Sequence, residues 1–522
     1  MTNHRNRIVQ IILLFLVQIL LSQSLKHTFT VKHDGRHFIG PIGTPFGFNA
    51  NGVYKLQVSN FYLQMGVSSK NSKEKNAIND SSYSYGDLEG LIYPGFLLKR
   101  FDSDQDFSKF KDPILDDPNI CGFQDFLQED FEIPFTYDDN DDDEYSHISQ
   151  GPGVIDGGSD GIFLSMRNVQ DMWKPQTPTL QHFFHPHEAG YYVLFYQICV
   201  LDPKKAQQKL MFQHITSTFQ LDFQHTNIDM FGNVSYLTAG DIILPHLFLY
   251  FSISYAILLF LWYRLLYKPS HSTIYAIHHL MTVVLALKTA SIFFESIRYH
   301  YIRIHGHAEL WSFVYYFLNF VKGAFLFTVI LLIGSGWSFF QPVLGKKQSK
   351  FILAVLLLQI MNHIALAILT HETMGEQWYN QWSNVLHIVD IISCGAILIP
   401  IVWQVHALEE QKENANQNGE IHDIQSKLSI FRSFYILVVA YIYYTRIVVY
   451  IVSSTLTYKY TWIQDLMTEL GTLLFYVSVG MKFAPNVLHE TKYGPIQWKE
   501  DTHDPITNDP ASDTTSIELS QL

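Results

Sequence analysis

The chain has 522 residues, 48% of them hydrophobic and 16% charged, with a formal net charge of -13. That length exceeds one ordinary domain, and no long stretch supplies the basic face that phosphate neutralisation requires, which argues against a nucleic-acid binder. Three cysteines exclude a disulfide-dense scaffold and a four-cysteine zinc module.

In chain order, residues 1–24 place Arg5 and Arg7 ahead of an apolar run from Ile8 to Leu21, followed by Ser22 and Ser24 at cleavage-site positions. This pattern predicts a secretory signal peptide, with an uncleaved anchor helix as the alternative. Residues 25–240 hold short alternating stretches, HTFTV, NGVYKLQVSNFYL, GYYVLFYQICV and STFQLDFQHT, separated by Gly, Pro and Asn. Alternation enriched in aromatic and β-branched residues predicts antiparallel strands, most simply an all-β sandwich. Polar insertions near 68–82 and 137–146 interrupt it. The second, YDDNDDDEYS, offers hard oxygen ligands but lacks the Gly and distal Glu of an EF-hand loop, so a solvated insertion is the simpler reading. Asn79 and Asn233 are N-glycosylation sequons. Cys121 and Cys199 are the cysteines of this region, and they pair as a disulfide or stand as two buried thiols. The acidity is concentrated here: residues 26–241 carry 16 basic against 29 acidic side chains.

From residue 241 to 483 the texture changes to long apolar runs. Seven windows are long enough to cross a hydrocarbon core of about 30 Å: 242–263, 272–294, 310–335, 350–370, 383–406, 430–454 and 461–483. Arg264, Lys268, Lys346, Lys347, Lys350, Lys412, Lys427, Arg432, Lys482, Lys492 and Lys499 fall on one side, and only Arg298, Arg303 and Lys459 fall in or beside the loops on the other. The positive-inside rule therefore predicts a cytosolic tail and places the β-rich region in the lumen or outside the cell, as a signal peptide requires independently. The acidic tail, residues 484–522, is predicted to be disordered. Its Tyr493-Gly-Pro-Ile496 fits the extended motif that clathrin adaptors read.

The ionisable residues inside the apolar windows are the candidate functional set, because each is costly in hydrocarbon unless paired or hydrated. They are Lys288, Lys322, Asp390, Arg446, Asp465 and Glu469. At 1.5 Å per residue, Lys288, Asp390, Arg446 and Glu469 lie about 9 to 12 Å from the exterior ends of their helices, with Lys322 deeper. Opposite charges sharing a layer predict one interior polar network. Three uses stand open: buried ion pairs that fix helix register, a cavity for a lipid head group or a membrane-protein segment, and an ion path. A zinc hydrolase is the enzymatic alternative, drawing on His278, His279, His363, His387 and Asp390, but the histidines do not share a depth and no common metal ion reaches them. No metal site is expected.

The rhodopsin-type triplet and the Asn-Pro-x-x-Tyr motif are both missing. Instead YLTAGDIILP, FVKGAFLFTVILLIGSGWSFF, DIISCGAILIPIVW, FRSFYILVVAYIYYTRIVVYIV and ELGTLLFYVSVGMKFAP resemble, in order, the lung seven-transmembrane receptor family, Golgi-localised seven-helix proteins with a lumenal GOLD domain. The resemblance implies a GOLD-like β-sandwich over a seven-helix bundle, similar in architecture to the Wnt-secretion chaperone Wntless. It also implies Golgi and endosomal residence and a role in membrane trafficking. The family's intramembrane charges carry over to Lys288, Lys322, Asp390, Arg446 and Glu469. The expected function is non-enzymatic: a sorting receptor or chaperone for membrane cargo or lipid, with a bound lipid as the one candidate ligand and clathrin adaptors as partners of the tail. The alternatives are a receptor for a lumenal or extracellular peptide, coupled to a G protein at the plasma membrane, and a cation channel.

Overall fold

A computed structural model describes residues 27–66, 92–117, 120–124, 154–156, 161–166, 179–200, 214–229, 232–267, 276–334, 346–371, 379–415 and 421–484. The predicted signal peptide, both polar insertions, Asn79, Tyr493 and Ile496 lie outside these residues.

Among the described residues, eleven strands build the N-terminal region: β1 His27–Asp34, β2 Phe38–Ile39, β3 Phe46–Phe48, β4 Val53–Gly66, β5 Ile92–Phe101, β6 Val154–Asp156, β7 Gly161–Ser165, β8 Thr179–Phe183, β9 Gly190–Val200, β10 His214–Ile228 and β11 Val234–Ser235. They form two antiparallel sheets. One runs β1-β10-β4-β8 with β11 on β10, and the other runs β2-β9-β5-β7-β6 with β3 on β9. In β4 the period-two pattern is plain: Tyr54, Leu56 and Val58 are buried, while Lys55 and Gln57 between them face water. In the core they pack with Phe29 and Phe219 of the same sheet and with Phe96 and Tyr196 across the sandwich. Each fully buried side chain of this size contributes about 1.5–3 kcal/mol.

β5 and β9 do not alternate, because both of their faces are covered. Helix α1, Asp104–Asp116, which the all-β reading did not contain, lies on the outer face of the second sheet. Phe107 and Ile114 pack there with Phe101, Phe163, Phe195 and Cys199. Ser103 caps the helix by accepting from the Asp106 amide, and its hydroxyl donates to the Asp106 carboxylate at 2.8 Å. The bonds from Ser103 and Lys109 hold Asp106 below the usual aspartate range. Beside α1, Cys121 and Cys199 are joined in a disulfide that ties the following loop to the end of β9.

The C-terminal region consists of helices α2 Leu244–Leu266, α3 Ala276–His305, α4 Glu309–Gly334, α5 Lys346–His371, α6 Tyr379–Ala415 and α7 Ile421–Tyr443. A π-helical turn, Tyr444–Val448, continues α7 into α8, Val449–Thr455, and α9 is Trp462–Lys482. Leu244–Leu266, Ala276–His305, Glu309–Ile333 and Leu428–Val452 are each long and apolar enough to cross a membrane. Consecutive helices pack in order, and α9 meets both α7 and α2, which closes the ring. Outward-facing side chains such as Ile253, Ile257, Leu357 and Ile391 are apolar and exposed, as a lipid-facing surface requires. One boundary is corrected. The second span was expected to end near 294, but α3 runs to His305, so Glu295, Arg298 and Arg303 stand on a helix instead of in a loop.

The sandwich rests on one end of the bundle. Gly47 donates to Thr238 Oγ1 at 2.8 Å and its carbonyl accepts from Ala239 at 3.0 Å, while Tyr236 donates to the Arg303 carbonyl at 3.1 Å. Arg303 also reaches Asp229 of the β10–β11 turn at 3.9 Å. Asn233, in that same turn, is exposed.

Candidate functional site

The domain-proximal end of the bundle collects ionisable groups from three helices. On α3, Lys288, Ser291, Glu295 and Arg298 recur at intervals of three and four and so share one face. On α9, Asp465, Glu469 and Thr472 do the same, and α4 contributes Tyr315 and Lys322.

Lys288 Nζ lies 2.9 Å from Glu469 Oε1 and 2.8 Å from Oε2, with side chains only 6% and 10% exposed. Tyr255 of α2 closes this pair. Its hydroxyl lies 3.2 Å from the Glu469 carbonyl and 3.4 Å from Oε2, and Lys288 Nζ stands 5.4 Å from its ring centre. The ammonium therefore meets a carboxylate and an aromatic face, the two partners that lower the cost of a buried cation.

Glu295, about two helical turns past Lys288 toward the β-sandwich, bonds Tyr315. Lys322 sits within electrostatic reach of Lys288, Glu295 and Glu469, yet makes no ion pair within 4.0 Å among the described residues. Arg298 donates to Ser312 Oγ at 3.1 Å and Tyr316 Oη at 3.2 Å, among the rings of Tyr299, Tyr315 and Tyr316. Asp465 is half-buried and feels the charges of Glu295, Asp241 and Glu469.

Arg446 and Asp390 form a separate pair, Nη2 to Oδ1 2.9 Å, between the π-helical turn and α6. Their side chains are 51% and 22% exposed, so this pair is open where Lys288–Glu469 is closed. Gly471 makes the approach of the π turn possible, since a Cβ there would collide with the Tyr444 ring, whose hydroxyl donates to the Met467 carbonyl at 3.0 Å. Among the described residues the ion pairs of this region fall into two groups. A buried cluster joins α2, α3, α4 and α9, and an open pair joins α6 and the π turn.

Glu295 went unnoticed and Arg298 was assigned to a loop because the predicted second span ended at 294. Their spacing of seven and ten residues from Lys288 was the available signal. Of the histidines weighed for a metal, His278 is buried and its Nε2 lies 3.0 Å from the Phe483 carbonyl, which fixes the Nε2–H tautomer as donor. The side chains of His363 and His387 lie outside the described residues.

At the junction above the cluster, Thr461 Oγ1 lies 3.4 Å from Asp241 Oδ1. Asp241 stands just ahead of α2, and burial raises its carboxyl to about 6.

A β-sandwich docked on a ring of membrane helices, with ionisable groups gathered beneath it, defines a multi-pass, receptor-like membrane protein. The model of the GOST seven-transmembrane domain matches residues 243–487. The protein Candidate G-Protein Coupled Receptor 6 of Arabidopsis thaliana is 33% identical over 282 residues, which is 53% of this chain and 64% of that protein. The membrane region is thus similar to the GOST seven-transmembrane domain, in agreement with the resemblance read from the helix sequences. The chain thus spans less than two thirds of the length of that curated relative.

Proposed function

We propose that this protein works in Golgi and endosomal membrane trafficking, as a sorting receptor or chaperone for membrane cargo or lipid, without catalysis. In this reading the β-sandwich, GOLD-like in character, is lumenal, residues 1–24 are removed as a signal peptide, and the tail presents Tyr493 and Ile496 to clathrin adaptors. The observation that carries it is the division of the ionisable residues. Lys288 and Glu469 satisfy each other, whereas Lys322 lacks a direct ion pair among the described residues and Arg446 is half exposed. A lock needs only closed pairs. In this reading a cation left without a direct pair, or one whose pair stays half exposed at hydrocarbon depth, serves a ligand, because a polar head group or a polar cargo segment lowers its remaining cost.

The relative's printed name favours a second reading, a G-protein-coupled receptor, whose ligand on the lumenal or extracellular side would be a peptide. Affinity purification of the full chain from membranes, followed by lipid and protein mass spectrometry, tests the first. The sorting reading expects a lipid class or membrane protein that co-purifies with the wild type and is depleted by Arg446→Ala in protein that retains the Cys121–Cys199 disulfide. Unchanged recovery would leave the charges as register-fixing pairs, and agonist-dependent nucleotide exchange on a G protein would favour the receptor.

A further inference from the structure

Away from the charged groups, in the half of the bundle remote from the β-sandwich, α2, α3, α4, α7 and α9 enclose a cavity of about 410 Å3. Its walls are almost wholly apolar, with Leu258, Trp262, Val284, Leu326 and Phe475 among them. Lys288 stands one turn above Val284 and Lys322 one turn above Leu326, so the charged layer roofs this space. On the side between α2 and α9 the lining includes Leu261 and Met481, which are 57% and 63% exposed. The cavity therefore has a mouth toward the surrounding lipid.

We propose that this cavity receives one acyl chain of an anionic phospholipid, entering between α2 and α9 from the leaflet remote from the β-sandwich. Its volume falls in the range of about 300–1,000 Å3 typical of ligand sites. An apolar void forfeits packing contacts along its walls, and at this depth lipid tails are the apolar molecules at hand. A tail gains nothing from hydrophobicity by leaving other tails, so retention must come from shape and from the head group. The last turns of the two helices at the mouth supply the head-group site. Arg264 follows Leu261 on α2, Lys482 follows Met481 on α9, and both cations are exposed. Neither helix carries an acidic side chain in its last two turns. Two cations at a membrane surface favour a head group with net negative charge over a zwitterionic one.

The test reconstitutes the full-length protein in nanodiscs of roughly equal phosphatidylserine and phosphatidylcholine, then counts retained lipids by native mass spectrometry. At about 1 kcal/mol per juxtamembrane cation, the wild type should keep one phosphatidylserine with about tenfold or greater preference. Gly480→Phe should empty the site, because a Cβ at Gly480 meets Trp262 only at 3.6 Å and a larger side chain grows into the cavity. The double change Arg264→Gln and Lys482→Gln alters only exposed residues. It should leave the protein folded and one lipid bound, while abolishing the preference. Equal retention of both lipids by the wild type, an undiminished preference in the double variant, or an occupied site in folded Gly480→Phe protein would each overturn the proposal.

Discussion

Replacing one member of the Lys288–Glu469 pair separates a stabilising lock from an incidental contact. Both side chains are nearly inaccessible, at 6% and 10%, and bonded at 2.8 Å. Lys288→Met leaves the Glu469 carboxylate with the Tyr255 hydroxyl at 3.4 Å as its closest remaining donor, and Glu469→Leu leaves the ammonium over the Tyr255 ring. Removing one partner of a buried pair costs about 3–5 kcal/mol, whereas apolar replacement of both is about neutral or stabilising. At about 2–4 °C per kcal/mol for a domain of this size, each single variant should melt about 6–20 °C lower, and the double variant should return close to wild type. The assay is thermal unfolding of the full-length protein in nanodiscs, read from tryptophan fluorescence at one fixed scan rate, since membrane proteins commonly unfold irreversibly. Single variants that melt with the wild type, or a double variant whose loss equals the sum of the singles, would refute the reasoning that these two charges depend on each other.

Other outcomes follow from the same geometry. The raised carboxyl of Asp241, at about 6, means the folded state holds the proton more tightly than the unfolded chain; stability from this group is full below about 3.8 and fades as pH rises through about 6. Amide exchange at residues 238–241 and 457–461, corrected for its intrinsic pH dependence, should therefore be slower at about pH 5 than at pH 7.5, and Asp241→Asn should flatten the difference. The disulfide between Cys121 and Cys199 fastens the loop after α1 to β9, so the paired change to serine should lower the stability of the sandwich by about 2–5 kcal/mol. Denaturation of the full chain followed by limited proteolysis of residues 92–200 reads that loss. Gly471→Leu places side-chain atoms where the Tyr444 ring sits, and should separate the π turn from α9. An engineered cysteine pair across that contact would then cross-link in the parent background but not beside Leu at 471.

What the sequence revealed depended on whether a pattern was local. β4 alternates because one face meets water, and its strand was readable from VYKLQV alone. β9 was read with the alternating stretches, but both of its faces are buried because α1 covers the outer one, and nothing in GYYVLFYQICV discloses that cover. The charged residues of the membrane region stood out singly, since each is anomalous in hydrocarbon. Their partners did not. Depth counting placed Lys288, Asp390, Arg446 and Glu469 in one layer, but helix neighbours decide who meets whom around a ring, and those neighbours are set by packing between residues far apart in the chain. Thus α9 brings Glu469 to Lys288, while the π turn, invisible to hydropathy, turns Arg446 toward Asp390. Glu295 was lost to a boundary set by apolar content, because α3 continues for eleven residues past 294 as an aromatic and cationic helix that props the β-sandwich.

The sorting role is tested most directly by deletion and rescue in cells, with the distribution of membrane proteins and lipids between Golgi, endosomes and cell surface as the readout. Deletion should redistribute a defined set of cargo, wild-type protein should restore it, and Arg446→Ala protein that folds with its disulfide intact should not. A distribution untouched by deletion, accompanied by G-protein nucleotide exchange in response to a lumenal or extracellular peptide, would contradict the account.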